Sequence, residues 1–434
     1  MNKKLAGAIV ILAGAFCLLV SPAPAVAQGN TWVGADLAEM VEAAGWRLGL
    51  MRINAAFTLA NAGYDSDVYY GYFDEPVPDW TLTAGLPVQV LVPLGKKVVL
   101  DFSDTPQYLF YLDTERERAW NNAFQGKIYF ALDRVFIQAG GGMSDVRRRH
   151  SPELDINVRE KRSSLEGLFL WQASKATSFA LDYGWTRYGY GDEEYLGSPI
   201  SGMLDREEHS IDFVTYVQPS SRTRLFLDGQ YVAFGFTGGT SSIGDARSYG
   251  VYGGLEFIPR VGELAGSTGI RGGFRLGYVR LDISDPLYAD GSGFAGSADI
   301  SVDLTRKTSL RGFFSRGFQF SVYAGATYYM STSYGVGLAQ RLSRKATLSY
   351  DISLGRTSYP EEGEIQGVRD RYTAHGFSLR LRLARHLDMA LQGTLSRRER
   401  EAAELPLDRN FFGLSLTYGF SGSGMSSPGG RPGG

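Results

Sequence analysis

The chain has little that could carry chemistry. Cysteine occurs once in 434 residues, as Cys17, and histidine four times, as His150, His209, His375 and His386, at no metal-ligand spacing. His209, Ser210 and Asp212 supply triad letters, but neighbours along a strand point to opposite faces. Glycine-rich pieces such as Gly140 to Gly142 lack the strand–loop–helix setting of a phosphate cradle. No enzyme activity, cofactor or metal is therefore expected. Long apolar runs are also scarce, and a mean hydropathy of −0.15 excludes a polytopic helical membrane protein. A net charge of −2 gives no electrostatic reason to bind nucleic acid. What the chain does have is 55 glycines, 13% aromatic residues and 44% hydrophobic residues. That is too much apolar surface for disorder, and it suits many short strands.

The one apolar run, Leu5 to Val20, follows Lys3 and Lys4 and leads to Ala25, Val26 and Ala27. Charged n-region, apolar h-region and A-x-A site read as a signal peptide over 1–27, cleaved before Gln28. Cys17 leaves with it, so the mature chain crosses an oxidising periplasm without a thiol to mispair. Residues 28–47 read as a periplasmic leader with a short amphipathic helix at Asp36 to Ala44, stopped by Gly45. A tethered leader is preferred there over a small plug. Residues 421–434 are a flexible Gly/Ser/Pro tail.

Between these ends the hydrophobic period is two. Phe412, Leu414, Leu416, Tyr418 and Phe420 alternate with Gly413, Ser415, Thr417 and Gly419, and Phe377 to Leu383 alternate with Ser378, Arg380 and Arg382. A soluble sandwich alternates as well. The connections separate the two. Short basic turns recur at Leu304 to Leu310, Leu342 to Leu348 and Leu383 to Met389, and between them lie longer polar stretches such as Gly189 to Arg206 and Tyr359 to Arg369. Short turns on one side and long loops on the other mark an up-and-down outer-membrane barrel. About 18 antiparallel strands (16–18) are expected over 48–420, including 79–92 and 97–111, with the segment 316–333 the least defined. Tyr108, Phe110, Trp171, Trp185, Tyr188, Tyr190 and Tyr418 fall near strand ends, as interface girdles do.

Parity assigns the ionisable residues of the strands to the lumen, because an arginine facing lipid at the midplane would cost about 2–4 kcal/mol. The lumen-lining candidates are Arg271, Arg275, Arg311, Arg380, Arg382, Asp101, Asp182, Asp212, Asp228, Glu256, Asp299, Asp303 and Asp351, with Glu166 and Arg224 of the same parity. Arg380 and Arg382 either give the wall positive potential or are neutralised by inward acids such as Asp351, which leaves structural pairing as their role. Tyr216, Phe226 and Tyr252 share this face and could offer rings for sugar stacking.

Asn61 to Gly71, Arg369 to Tyr372, Gly376 to Leu387, Ser396 to Glu401 and Asp408 to Phe420 together resemble the putative beta-barrel porin-2 family. The resemblance extends over residues 48–420. Asn410, Phe412, Gly413, Leu416 and Tyr418, with Phe420, also match the form of a barrel assembly signal. Members of that family are outer-membrane barrels often associated with exopolysaccharide synthesis and export. The resemblance implies a passive hydrophilic path for an exopolysaccharide. The expected partners are outer-membrane lipid, the barrel assembly machinery, polysaccharide, and periplasmic or inner-membrane export components. A diffusion porin for small polar solutes and a closed structural or adhesion barrel are the alternatives.

Overall fold

The structure is a computed structural model. It describes residues 33–420 apart from 70–74, 152, 155, 196, 239–243, 258–268, 287, 324–325, 360–368 and 401–405. The expected signal peptide and C-terminal tail lie outside the described residues. A helix, α1 (Val33–Glu42), comes first, then β1 (Trp46–Leu48), a short hairpin arm on β2 (Met51–Asp65). The wall continues with β3 (Asp79–Gly85), β4 (Val88–Leu94), β5 (Val98–Asp104), β6 (Gln107–Tyr111), β7 (Ala119–Ala131), β8 (Val135–Arg148), β9 (Val158–Gln172) and β10 (Thr177–Tyr190). A loop ribbon, β11 (Glu194–Tyr195) with β12 (Ser198–Pro199), and helix α2 (Ile200–Leu204) interrupt it. The second half comprises β13 (Arg206–Ser220), β14 (Thr223–Phe236), β15 (Ala246–Phe257), β16 (Ile270–Ile283), β17 (Gly291–Asp303) and β18 (Thr308–Phe320). It ends with β19 (Tyr328–Arg341), β20 (Ala346–Ser358), β21 (Arg369–Ala384), β22 (Leu387–Arg400) and β23 (Leu407–Gly419).

Each long strand pairs antiparallel with its neighbour in sequence, and β2 pairs with β23 from Ala56↔Gly419 to Asp65↔Phe411. The sheet therefore closes on itself. Two staves are broken in the middle: β3 and β4 flank Leu86 and Pro87, and β5 and β6 flank Thr105 and Pro106. Proline has no N–H for the ladder and sits at such irregularities. Both breaks stay paired: β3 with β6, β4 with β5, and both halves with β2 or β7. Counted as single staves, these give a closed barrel of 18 strands. The expected strands 79–92 and 97–111 are these two interrupted staves. The segment 316–333 resolves into the end of β18, a turn, and the start of β19.

The outer face carries the apolar side chains. Phe169, Leu181, Phe213, Leu227, Val251, Leu276, Val336 and Leu391 are all exposed there, on the parity opposite to the strand acids. Neighbouring outer rings touch, as in Tyr108–Trp120 at 4.9 Å and Tyr231–Tyr249 at 5.3 Å. The closing seam needs one local adjustment. Asn61 takes φ 52°, a left-handed conformation that asparagine tolerates, and the register with β23 shifts between Leu59 and Ala62. This bulge switches the outward parity from Phe57 to Tyr64, both exposed. Beyond it Gly63 lies so close to the Phe412 carbonyl that no Cβ would fit.

Leu414 sits mid-strand on the lipid face of β23, whereas Thr417 faces inward. We expect Leu414→Arg to lower barrel stability by about 2–4 kcal/mol and Thr417→Arg by less than about 1 kcal/mol. Urea unfolding in detergent micelles, followed by heat-modifiable mobility, reads the difference.

Candidate functional site

The inward face carries a polar belt. Along one wall the register brings carboxylates side by side. Asp101 on β5 stands opposite Lys127, which stands opposite Gly140, and Gly140 stands opposite Glu166 on β9. Lys127 Nζ reaches Glu166 at 2.7 Å, and Gln89 donates to Asp101 at 3.0 Å. Further round, Asp182 on β10 is directly opposite Asp212 on β13, whose partner on β14 is Gln230, donating at 2.7 Å. Asp228 pairs with Arg275 at 2.6 Å. Asp182 has no hydrogen bond or ion pair with any described residue. The belt thus sets five carboxylates against Lys127 and Arg275.

The remaining lumen candidates are largely in ion pairs. Arg224 holds Glu256 at 2.5 Å, Arg271 holds Asp303 at 2.9 Å, and Arg311 pairs with Asp299. Arg382 pairs with Asp388 at 3.4 Å. Arg380 is exposed near the short-turn end and pairs with no described residue. Of the two cases left open by the sequence, Asp351 does not supply the neutralising partner of these two arginines. It stands opposite Gly376 and Gly337, and Gly337 is the partner of Arg311, whereas Arg380 stands opposite Thr347. A strand residue reaches its lateral neighbours, and four residues of rise separate Asp351 from Thr347.

The inward tyrosines are not free platforms. Tyr216 is 6% exposed beneath Arg224, 4.3 Å from its guanidinium, and Tyr252 is 8% exposed beneath Arg275, at 3.7 Å. Each ring gives its π face to a cation. Tyr188 and Tyr190 likewise point inward and are buried, so they do not belong to an outer girdle. Of the assembly-signal residues, Phe412 and Tyr418 project outward and are exposed, and the Asn410 N–H donates to Ser66 Oγ at 2.7 Å. Gly413 and Leu416 lie in the body of β23, with Leu416 opposite Leu59 and Met389, and the Phe420 N–H donates to the Ala55 carbonyl at 3.0 Å.

At the short-turn end, Leu37 of α1 and Ala44 just after it join one buried cluster with Leu91, Phe136, Leu168, Leu170, Val214 and Tyr216. These wall residues all point inward. Leu37 and Ala44 therefore pack against the inner wall at this end.

At the long-loop end a bridge crosses the mouth. The β8–β9 loop meets the β18–β19 turn, which lies eight staves away in one direction and ten in the other. Glu153 is its centre. Its carboxylate accepts Ser321 Oγ at 2.8 Å, the Val322 N–H at 2.8 Å and Tyr359 Oη at 2.6 Å, and its carbonyl accepts Tyr195 Oη at 2.7 Å. Around it Leu154, Val158, Tyr188, Ile200, Leu204 and Val322 form a buried apolar cluster. Arg147 ties Glu117 and Glu193 to the same rim, each at 2.9 Å. Sequence alone offered no signal for this bridge, because each of its members lies in an ordinary polar loop.

A family model described as Putative beta-barrel porin 2 matches residues 172–420, more than half of the chain. The chain belongs to this family. As a member, this porin is an outer-membrane protein. No curated protein matches it. Among solved structures, it resembles OpdK from Pseudomonas aeruginosa with vanillate at 11% identity and a TM-score of 0.49, covering 85% of this chain and 98% of that one. It resembles OccAB4 from Acinetobacter baumannii at 11% identity and a TM-score of 0.47, covering 85% and 97%. A bacterial polysaccharide outer membrane secretin gives 9% identity and a TM-score of 0.38, covering 86% and 98%.

Burial pushes the Glu153 carboxyl up to about 7 from an ordinary 4.5, against its three donors and the Arg398 guanidinium. A raised carboxyl value means that its contribution to the closed bridge is complete below about pH 4.5 and is lost as pH rises through about 7. His150 in the same loop is held below its ordinary value by burial, with Glu160 opposing. We expect single-channel conductance in planar bilayers to rise between pH 5 and pH 8. Glu153→Gln should flatten that rise, and an unchanged profile would place the titration elsewhere.

Proposed function

We propose that this porin is a gated, passive path for polar solutes that are neutral or positively charged. The observation that supports this most is the acidic belt, with Asp182 facing Asp212 across adjacent strands. Like charges directly opposite each other weaken a sheet, so stability gives no reason for the pair. A lumen lined this way lowers the energy of a passing cation and raises that of an anion. In this reading α1 and the Glu153 bridge are the resting closures at the two ends. No step of chemistry is required of the wall, and the driving force is the gradient or the partner that delivers the solute.

Export of an exopolysaccharide is the second reading, and the family resemblance favours it. An 18-stranded lumen is of the size class that leaves an aqueous channel once its closures part. The belt then favours an uncharged or basic polymer over an acidic one. The covered faces of Tyr216 and Tyr252 make hydrogen bonding to the belt, rather than ring stacking, the natural contact with sugar. Periplasmic and inner-membrane components would supply polymerisation and force.

Reversal potentials across a salt gradient in planar bilayers test the first reading. Cation preference should fall several-fold in Asp182→Asn with Asp212→Asn, while Arg380→Glu with Arg382→Glu should raise it. Deleting residues 28–44 should increase the open fraction. A protein that never conducts, even with this segment removed and Glu153→Ala in place, is a closed structural barrel. Loss of secreted polysaccharide on gene deletion, restored by the parent gene, supports the export reading.

A further inference from the structure

We infer that the outer wall carries a binding site for the phosphorylated headgroup of an outer-leaflet lipid, formed by Arg316, Arg356 and Arg371. The register sets them in one lateral row: Arg316 on β18 opposite Thr332 on β19, Thr332 opposite Arg356 on β20, and Arg356 opposite Arg371 on β21. All three share the outward parity of Tyr334, Tyr350 and Phe377, and all three are exposed. Arg316 is held in place, donating from Nε to the Phe294 carbonyl at 3.0 Å and from Nη1 to Thr332 Oγ1 at 2.9 Å. Arg356 and Arg371 make no ion pair with any described residue. Glu399, the cross-strand partner of Arg371 on β22, is engaged by Arg397 Nε at 2.9 Å.

Two guanidinium groups therefore face each other on adjacent strands, with Cβ atoms roughly 5 Å apart and no anion of the described residues paired with either. Such a pair destabilises a sheet unless an anion bridges it. Its height identifies the anion. Arg356 lies ten residues along β20 from Ala346, which at ~3.3 Å per residue and a tilt of ~40° is ~25 Å above the short-turn end. That is the height of the apolar band. Leu348, Tyr350, Ile352 and Leu354 occupy the same face below it, and within β20 only Ser358 follows on that face above. The row therefore stands at the headgroup level of the outer leaflet, over a greasy surface suited to acyl chains. Arginine forks match phosphate oxygens two at a time, which a row of three can do for a diphosphorylated headgroup. This assignment depends only on the outer-membrane placement and not on what passes through the lumen.

The test is native mass spectrometry and fluorescence titration of the folded, full-length mature protein in detergent micelles, with diphosphoryl lipid A as probe. Arg356→Gln with Arg371→Gln should weaken binding at least tenfold, while heat-modifiable mobility and conductance stay unchanged. Arg247→Gln, an exposed arginine elsewhere on the outer face, should leave it unaltered. Arg356→Lys with Arg371→Lys keeps the charge without the fork and should fall between. Dephosphorylated lipid A should bind the parent protein at least tenfold more weakly, a comparison that needs no variant. Equal binding of the two lipids, full competition by millimolar inorganic phosphate, or equal losses in the Arg247 variant would each overturn the assignment.

Discussion

Inside a bilayer no water is available to satisfy a peptide N–H or C=O, and each one left open costs several kcal/mol. A sheet can meet that constraint only by having no edge. Here the condition is met at one seam, between β2 and β23, where the first and last long strands pair. Everything else follows from that closure. The Asn61 bulge and the crowded Gly63 are its local consequences, because strands brought together from the two ends of a chain must still agree in register and in which face they show to lipid. The broken staves at Pro87 and Pro106 are tolerated because their flanking strands keep pairing around the missing donors.

Closure also divides the side chains into two populations. One face is spent on lipid and the other is free to be polar, so the wall can hold Asp182 against Asp212 without solvating either in hydrocarbon. Most lumen charges are nevertheless paired, as in Arg224–Glu256 and Arg311–Asp299, and such pairs stiffen the wall. The belt from Asp101 to Asp228 departs from this economy and is where a solute would register the pore's charge. The outer face has a matching departure in Arg356 and Arg371, where like charges meet at the rim of the apolar band. In both places like charges stand together on one face at one level, where a ligand of opposite charge would offset their repulsion.

Much of this was legible beforehand. Period-two alternation and the short-turn, long-loop rhythm carry the strand number and the parity of residues such as Arg275 and Asp212, because a strand's side-chain directions are set by its own backbone. Parity does not say who stands beside whom. Asp351 shares the inward face with Arg380, yet lateral register places it on the row of Arg311. Tyr216 and Tyr252 have the right face for sugar contact, yet their neighbours Arg224 and Arg275 cover them. Tyr188 and Tyr190 were placed by their nearness to a strand end, and the loops folded over them turned that end into a buried cluster.

The sequence by itself determined the barrel class, the strand count and the face of most strand residues. These depend on local periodicity and composition, which operate within a few residues. Only the tertiary structure decided that Leu37 and Ala44 pack against the inner wall, that the acids of five strands line up as one belt, and that Glu153 is captured by Ser321, Val322 and Tyr359 from the far side of the mouth. These contacts join residues up to 206 positions apart. Their partners are chosen by the curvature and closure of an 18-stranded sheet, and no local pattern records that choice.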